Sequence, residues 1–365
     1  MKRFFLLIAA ALFIFACANL FAQTSPTPAL LKASSSSNTG MLYYDATNFT
    51  IEGKGWKDTG GAYQRLPKKA KGKVPPAVWD LSLNTAGICV RFVTNSKTIA
   101  AVWDGGDAMN HMAATGNSGL DLYRKDGKDW IFCGVGRPKP TLTTATLTRD
   151  PLSGETQEFL LYLPLYHKVD ELKIGVEKNA FIAPAPERPV ATRLPIVFYG
   201  TSITQGGCAS RAGMCHPAIL GRWLDRAVIN LGFSGAGKME PALAELVSEL
   251  DACLYVLETL PNMTNDLVKE RVEPFVLTLR KAHPKTPILL VAHPNFPDNS
   301  ERNTLLKEIF DKLRKDGIDN LYYLPSEKQL GSRENGTVDG VHPTDLGFFQ
   351  MATVYEPVLR GILSK

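Results

Sequence analysis

Three polar residues, Ser202, Asp339 and His342, have the types and the spacing of a nucleophile with its base. A serine hydroxyl is a weak nucleophile, so it needs a histidine to remove its proton and a carboxylate to hold that histidine's tautomer. Asp339 precedes His342 by three positions, which lets the carboxylate reach the imidazole Nδ1 atom within one turn. Because Nε2 then remains free to accept the proton of Ser202, the pattern predicts acyl transfer through a serine ester.

Two further loops contain donors for the negative charge that develops on a carbonyl oxygen in such a reaction. Gly235 lies in the glycine-rich stretch 232–237, whose backbone can approach a ligand closely, and Asn262 offers a side-chain amide. Together with the backbone N–H group of Ser202, these two residues form the predicted oxyanion hole.

Two histidines outside this set, His111 and His216, are candidate substrate contacts. His216 lies on the loop that follows Ser202, and His111 could face the site from the first half of the chain, since clefts between domains are common binding sites. A buried structural role for His111 and a turn or surface role for His216 are the alternatives. The sequence contains no metal-ligand spacing and no phosphate-binding glycine loop, so we expect no metal and no cofactor.

The elements that must position these residues alternate between strand and helix from residue 195 to residue 365. Apolar runs predict strands, and a 3.6-residue apolar period predicts helices between them. The predicted strands are 196–199, 227–231, 253–258, 288–292 and 321–324, and the predicted helices are 218–224, 241–250, 266–282, 301–315 and 345–363. Such alternation favours a parallel sheet covered on both faces, with its ligand site at the carboxyl ends of the strands.

Residues 41–182 have a different pattern, in which short alternating segments are separated by turn residues. This pattern is typical of an antiparallel β-sandwich. The predicted strands are 49–52, 77–81, 88–94, 98–103, 119–124, 129–134, 158–163 and 171–176. A proline-rich stretch at 183–194 predicts a stiff linker, so we expect two domains, 41–182 and 195–365.

The amino terminus has the layout of a secretory signal. Residues 1–22 combine a basic start, a short apolar run and small residues, which predicts export to the periplasm or secretion. Residues 23–40 are rich in Ser, Thr and Pro and predict a flexible leader. A lipid anchor on Cys17 is the alternative, because residues 14–17 loosely resemble a lipoprotein processing site. No later segment is apolar enough to cross a membrane.

The overall composition is that of a soluble globular protein, with 44% hydrophobic and 21% charged residues. The formal net charge of +5 comes from scattered basic residues and gives no argument for binding nucleic acid. Five cysteines follow the signal segment, and their wide spacing does not match a zinc site. Cys208 and Cys215 lie in one loop, where they could form a disulfide or remain thiols.

The loops around the predicted triad resemble the blocks that characterise SGNH hydrolases, the GDSL-type lipases and esterases. Four segments agree in order, namely 200–204 with the nucleophile block, 230–237 with the second block, 261–262 with the third, and 339–342 with the Asp-x-x-His block. Gly235 and Asn262 fall on the oxyanion residues of this family. Thr201 stands where Asp is usual before the nucleophile, and Pro261 stands in a block where Gly-x-Asn is commoner.

The segment GLDLY at 119–123 is similar to the GxDLY motif of a β-sandwich domain that precedes this hydrolase type in exported bacterial proteins. The two resemblances imply a flavodoxin-like hydrolase domain after the sandwich and a cofactor-free serine esterase. They also imply acetylated oligosaccharides or polysaccharides as substrates. The alternatives are a lipid or phospholipid acylhydrolase and a non-catalytic glycan-binding protein on a hydrolase scaffold.

Overall fold

A computed structural model describes residues 31–36, 40–331 and 335–364 of the 365-residue chain. The described residues from Ala33 onward form one compact unit. The predicted signal peptide lies outside the described residues. Within the predicted leader, Ser35–Ser36 form a strand that pairs antiparallel with residues 42 and 43. Among the described residues, no helix is both long and apolar enough to span a bilayer.

The N-terminal half, up to residue 194, contains two antiparallel sheets. Their strands are β1 (Ser35–Ser36), β2 (Met41–Asp45), β3 (Thr50–Glu52), β4 (Cys89–Thr94), β5 (Ile99–Asp104), β6 (Leu120–Asp126), β7 (Asp129–Gly136), β8 (Leu142–Thr146), β9 (Gln157–Tyr162), β10 (Leu172–Glu177) and β11 (Ile182–Pro184). One sheet has the order β1-β2-β10-β5-β8, and the other has the order β11-β4-β9-β6-β7 with β3 against β4. All of these strand pairs are antiparallel, as predicted for this half, and the ring of Trp103 in the first sheet lies against Gly136 in the second.

The predicted strand 77–81 is wrong, because this segment lies in helix α1 (Pro76–Ser82). Pro76 occupies the first helical position, where its fixed φ suits a helix and its missing N–H group leaves no bond unmade. Val78 and Ser82, four residues apart, are the buried positions of the helix, so the pattern of burial is helical. Five residues are too few to separate the two periods from sequence. A second short helix, α2 (Ala114–Asn117), follows later.

The C-terminal half contains a five-stranded parallel sheet with helices between its strands. Its elements are β12 (Ile196–Gly200), α3 (Ser202–Gln205), α4 (His216–Trp223), β13 (Val228–Gly232), α5 (Pro241–Val247), β14 (Leu254–Glu258), α6 (Asn265–Ala282), β15 (Ile288–Val291), α7 (Glu301–Lys315), β16 (Leu321–Leu324) and α8 (Asp345–Leu363). The order β13-β12-β14-β15-β16 is that of flavodoxin-like folds, so the predicted fold class is confirmed. From β12 the chain first runs to β13 on one side and then crosses to β14 on the other side. This reversal of strand order opens a crevice at the carboxyl end of β12.

Both faces of the parallel sheet are buried, and the N-terminal half helps to cover each of them. Ile196 and Phe198 of β12 pack with α4, α8 and residues of β4 and β9 in one core. Val197 and Tyr199 point to the other face, where α5, α6 and α7 pack together with buried apolar residues of the segment 66–78. The two halves therefore share their hydrophobic cores.

Candidate active site

Ser202 is the first residue of α3, two residues after Gly200, where β12 ends, and it is 7% exposed. The side chain of Thr201 caps this helix by accepting a hydrogen bond from the N–H group of Ile203 at 3.3 Å. Thr204 Oγ1 accepts in return from the N–H group of Thr201 at 3.1 Å. A Cβ atom at Gly200 would lie 1.9 Å from Thr204 Oγ1, so the sharp turn that presents the serine requires a glycine.

The three residues of the predicted triad lie in one chain of hydrogen bonds. Ser202 Oγ is 3.0 Å from His342 Nε2, and His342 Nδ1 is 2.7 Å from Asp339 Oδ2. Asp339 Oδ1 also accepts from the backbone N–H groups of His342 and Val341 at 2.8 and 3.0 Å. Burial acts to raise the pKa of Asp339, but the hydrogen bonds from His342 and Val341 outweigh it and lower the pKa to about 2. Asp339 is therefore a carboxylate at neutral pH and can fix the imidazole tautomer.

The loop after α3, residues 206–215, is here called the nucleophile loop because it follows Ser202. Two contacts hold it against the loop that carries His342. The N–H group of Cys208 donates to the carbonyl oxygen of Pro343 at 2.9 Å. The N–H group of Ser210 donates to Asp345 Oδ1 at 2.8 Å, at the start of α8. These bonds hold Ser202 and His342 close together, although 140 positions separate the two residues in sequence.

The predicted oxyanion residues lie on neighbouring loops at the same sheet edge. The N–H group of Ser202 is at the first position of α3, where no intrahelical acceptor is available. Gly235 has a φ of +65°, and, apart from its two chain neighbours, no described residue has a heavy atom within 4 Å of the position a Cβ would take. The amide Nδ2 of Asn262 donates to the carbonyl oxygens of Phe233 and Gly237 at 3.2 and 3.3 Å. In this arrangement, Asn262 holds the loop that carries Gly235.

Two residues that sequence reasoning missed also position this loop. Gln205 Oε1 accepts from the N–H group of Ser234 at 3.1 Å, and Gln205 Nε2 donates to the carbonyl oxygen of Leu165 at 3.1 Å. Arg65 Nη1 donates to the carbonyl oxygen of Gly232 at 2.7 Å. Arg65 and Gly232 are 167 positions apart, so no local pattern could have revealed this contact.

Of the two histidines predicted as substrate contacts, one lies at the surface of the site and the other lies in the protein interior. His111 is exposed, and its ring centroid lies 5.7 Å from that of His342, so the N-terminal half contributes a side chain to the rim of the site. His216 is fully buried, with its Nε2 atom 3.0 Å from Glu258 Oε1 and its ring stacked on Phe348. A residue without exposed surface cannot line a substrate pocket, so the prediction for His216 does not fit the structure.

The motif GLDLY acts as an anchor for the nucleophile loop. Asp121, which is fully buried, accepts from the N–H group of Gly213 at 2.8 Å and from Arg211 Nη1 at 2.9 Å. Burial raises the pKa of the Asp121 carboxyl, while Arg211 and Arg222 oppose the shift. The OH group of Tyr123, the last residue of the motif, also donates to Asp121 at 3.2 Å. The motif thus ties β6 to the segment that follows Ser202.

Cys208 and Cys215 are free thiols in the structure. Burial, with a smaller contribution from Asp339, raises the pKa of the Cys208 thiol to about 11. Within the part of the chain that the structure describes, one group of side chains offers three metal-ligand atoms close together, and it consists of His111, Cys208 and His342. Each of these three lies beside the triad or belongs to it.

Sequence profiles of two families match the chain. The family described as GDSL-like Lipase/Acylhydrolase matches residues 193–360. The family described as the N-terminus of Esterase_SGNH_hydro-type, with the GxDLY motif, matches residues 41–182. No curated protein sequence matches the chain.

Several solved structures are similar to this one. A protein of Bacteroides ovatus ATCC 8483 assigned as a GDSL-like lipase is 37% identical, with a TM-score of 0.82 over 89% of this chain and 98% of that one. A salicylyl-acyltransferase from a tetracycline biosynthetic pathway is 19% identical, with a TM-score of 0.67 over 93% and 97%. An acetyl xylan esterase of the rumen bacterium Butyrivibrio proteoclasticus is 14% identical, with a TM-score of 0.57 over 89% and 99%. The last two show the fold alone.

Proposed function

Because the chain belongs to the family of GDSL-like lipases and acylhydrolases, we propose that it is an exported serine esterase that removes O-acyl groups, chiefly acetyl, from carbohydrates. Membership in the family makes the chain a carboxylic ester hydrolase. The proposal adds the mechanism, the acyl group, the class of substrate and the location.

The hydrogen-bonded chain from Ser202 through His342 to Asp339 is the observation that carries the proposed mechanism. Ser202 Oγ attacks the ester carbonyl carbon while His342 Nε2 takes its proton. The Asp339 carboxylate stabilises the imidazolium that forms and stays ionised throughout. The carbonyl oxygen becomes an oxyanion, which the N–H groups of Ser202 and Gly235 stabilise in a site held by the side chain of Asn262.

The second half of the proposed reaction uses the same residues. His342 gives its proton to the oxygen of the departing sugar hydroxyl, which leaves an acyl ester on Ser202. A water molecule then loses a proton to His342 Nε2 and attacks the acyl carbon. Collapse of this second oxyanion releases the carboxylic acid and returns the proton to Ser202 Oγ.

Polar groups at the rim of the site support a carbohydrate substrate. His111 and Asn110 are exposed beside His342, and both can exchange hydrogen bonds with sugar hydroxyls. A neighbour with the same fold is an acetyl xylan esterase, which is consistent with this choice. The acyl group and the sugar are decided by experiment, because one fold hosts many substrates.

A lipid acylhydrolase is the second candidate, and a specific observation favours it. Val338 precedes the Asp339–His342 turn and Val341 lies within it, with 45% and 42% of their surface exposed, and Met109 near His111 is 38% exposed. Exposed apolar side chains beside a nucleophile can contact a longer acyl chain. The length of the acyl chain therefore separates the two candidates.

Hydrolysis of 4-nitrophenyl acetate tests the assigned nucleophile. We expect the purified protein to hydrolyse this ester and Ser202→Ala to lose at least about 10³-fold in kcat. Ser153→Ala is the matched control, because this serine is exposed in a turn of the N-terminal half, and we expect wild-type rates from it. Activity of Ser202→Ala equal to that of the control would overturn the assignment, and an inactive wild type would favour the glycan-binding alternative.

A series of 4-nitrophenyl esters from two to twelve carbons, together with acetate release from acetylated xylan, tests the substrate. We expect kcat/KM to fall beyond four carbons and acetate to be released from the polysaccharide. A rate that rises towards long chains, without release of acetate, would support the lipid candidate instead.

Export is proposed from residues 1–22 and is tested on the full chain in a Gram-negative host. We expect the protein in the periplasmic fraction, with a mature amino terminus after Ala18 or Ala22. Recovery of the full-length chain from the cytoplasm would contradict export. A lipid-modified product that disappears in Cys17→Ser would establish the lipoprotein alternative.

A further inference from the structure

Three side chains from distant parts of the sequence meet at the mouth of the site. His111 comes from the N-terminal half, Cys208 from the nucleophile loop and His342 from the triad, and their ligand atoms all lie within 4.8 Å of one another. Cys208 is 8% exposed, while His342 is partly exposed and His111 is exposed. The cluster is thus open to solvent on the side of His111.

Two imidazoles and a thiol form a donor set that suits Zn²⁺. Nitrogen and sulfur ligands favour zinc over Mg²⁺ or Ca²⁺, which prefer oxygen. Tetrahedral zinc keeps such ligands about 3.5 Å apart, so separations of up to 4.8 Å need to close by about 1.3 Å at most. The exposed side chain of His111 has the freedom for this movement. Three protein ligands leave a fourth position for a water molecule.

The neighbours of both histidines select the nitrogen that would bind the ion. Asp339 holds His342 Nδ1 at 2.7 Å, and Asn110 Oδ1 holds His111 Nδ1 at 2.6 Å. In each ring, the Nε2 atom is therefore the one left to coordinate. A carboxylate on the far nitrogen also makes an imidazole a better metal ligand. The arrangement that prepares His342 to accept a proton from Ser202 thus prepares it equally well to bind zinc.

We propose that His111, Cys208 and His342 form an inhibitory Zn²⁺ site. The Cys208 thiol loses its proton to solvent when the sulfur binds the ion, and His342 Nε2 exchanges its contact with Ser202 Oγ for the metal. Because His342 can no longer accept the proton of Ser202, the bound enzyme is inactive, and chelation of the ion restores it. The binding of zinc stands independently, whereas the inhibition rests on the proposed function.

Zinc binding and inhibition are measured separately on the metal-free full chain. A chromophoric chelator competing for ZnCl₂ gives the Kd and the stoichiometry, and 4-nitrophenyl acetate gives the inhibition constant. We expect one ion per chain, loss of activity at matching concentrations, recovery with EDTA, and no effect of millimolar Mg²⁺. Cys208→Ser weakens both the Kd and the inhibition constant by about tenfold or more, with the inhibition measured relative to the variant's own metal-free rate. Cys133→Ser, a matched change at a partly exposed thiol in β7, behaves as wild type.

Each remaining outcome has a defined meaning. Equal zinc affinity in Cys208→Ser and wild type overturns the proposed site, as does an active enzyme that zinc does not inhibit. If the wild type binds one zinc ion per chain but hydrolyses no ester, the zinc site is supported and the proposed function is refuted. If Cys208→Ser does not fold, the same tenfold loss of zinc affinity is expected in His111→Gln, and unchanged affinity there overturns the proposal.

Discussion

Arg65 Nη1 lies 2.7 Å from the carbonyl oxygen of Gly232, at the end of the strand that leads into the predicted oxyanion loop. The same guanidinium donates to the carbonyl oxygens of Asn230, Leu81 and Asn84, and it lies 4.8 Å from the ring centroid of Phe233. Arg65 is 1% exposed, and burial lowers its pKa to about 9. A buried cation that donates hydrogen bonds to backbone carbonyl oxygens thus joins the N-terminal half to the loop that carries Gly235.

We expect Arg65→Met to lower the free energy of unfolding by about 3 kcal/mol or more, because several buried carbonyl oxygens lose their donor. The kcat for 4-nitrophenyl acetate falls about tenfold with little change in KM, since the oxyanion loop loses its anchor. Urea unfolding and steady-state kinetics check both. Arg65→Lys, which keeps the charge and one or two of the bonds, recovers part of each loss. An Arg65→Met variant as stable as wild type would contradict the structural role.

Asp339→Asn is expected to reduce kcat by about 10²–10⁴-fold, because an amide cannot hold the required imidazole tautomer or stabilise the imidazolium. The KM for 4-nitrophenyl acetate changes little. Asp150→Asn, the same substitution at an exposed position of the N-terminal half, leaves kcat unchanged. Wild-type kcat in Asp339→Asn would remove this residue from the mechanism.

Asp121→Asn tests the anchor that the motif GLDLY provides. Loss of this carboxylate leaves Arg211 without its buried partner, so we expect the free energy of unfolding to fall by about 2–4 kcal/mol. Activity also falls, since the anchored segment follows Ser202. Asp126→Asn is the matched control at the exposed end of the same strand, and its stability and activity stay within error of wild type. Equal effects of the two substitutions would show that Asp121 is no anchor.

His216→Phe separates a buried role from contact with substrate. Phenylalanine can fill the space between Phe198 and Phe348, but it removes the contact of His216 with Glu258. The OH group of Tyr355 still donates to that carboxylate at 2.9 Å, so we expect a loss of stability of about 1–3 kcal/mol and an unchanged KM. His111→Ala, at the rim of the site, is expected to raise the KM for acetylated sugars and to leave stability unchanged. A large rise of KM in His216→Phe would place that histidine at the substrate after all.

His293 gives stability a dependence on pH. Burial, with help from Arg302, lowers the pKa of His293 from 6.5 to about 4, so the folded state disfavours the protonated form. The contribution of His293 to the free energy of unfolding is complete above about pH 6.5 and is lost as the pH falls towards 4. Between these two pH values, the unfolded chain binds a proton at His293 that the folded chain does not bind. We expect His293→Gln to lose less stability than wild type between pH 7 and pH 4.5 in urea unfolding. Parallel curves would contradict this assignment.

Contacts between residues that are close in sequence could be predicted from the sequence. Asp339 and His342 belong to one turn, so their spacing alone predicted the contact that the structure shows. The predicted helices 301–315 and 345–363 coincide with α7 and α8, because long apolar periods leave little ambiguity. Helix α1 was misread because its apolar residues number too few to define a period.

The contacts between distant segments were not predictable. His216 looked available for substrate because its neighbours in sequence are those of a polar loop, yet Glu258 binds it in the interior. Asn262 was predicted as an oxyanion donor, and the structure adds that its amide holds the carbonyl oxygens of Phe233 and Gly237. Both assignments depend on packing partners that no local pattern encodes.

The amino-acid sequence by itself determined the alternation of strands and helices in the C-terminal half, the loops at the sheet edge and the chemical types of Ser202, Asp339 and His342. These features follow from hydrophobic periodicity and short-range spacing, which act over a few residues. Only the tertiary structure decided that the N-terminal half helps to build the site. Arg65, Asp121 and the rim residue His111 reach the loops of the candidate site because the two halves share a core, and such long-range burial depends on the whole chain.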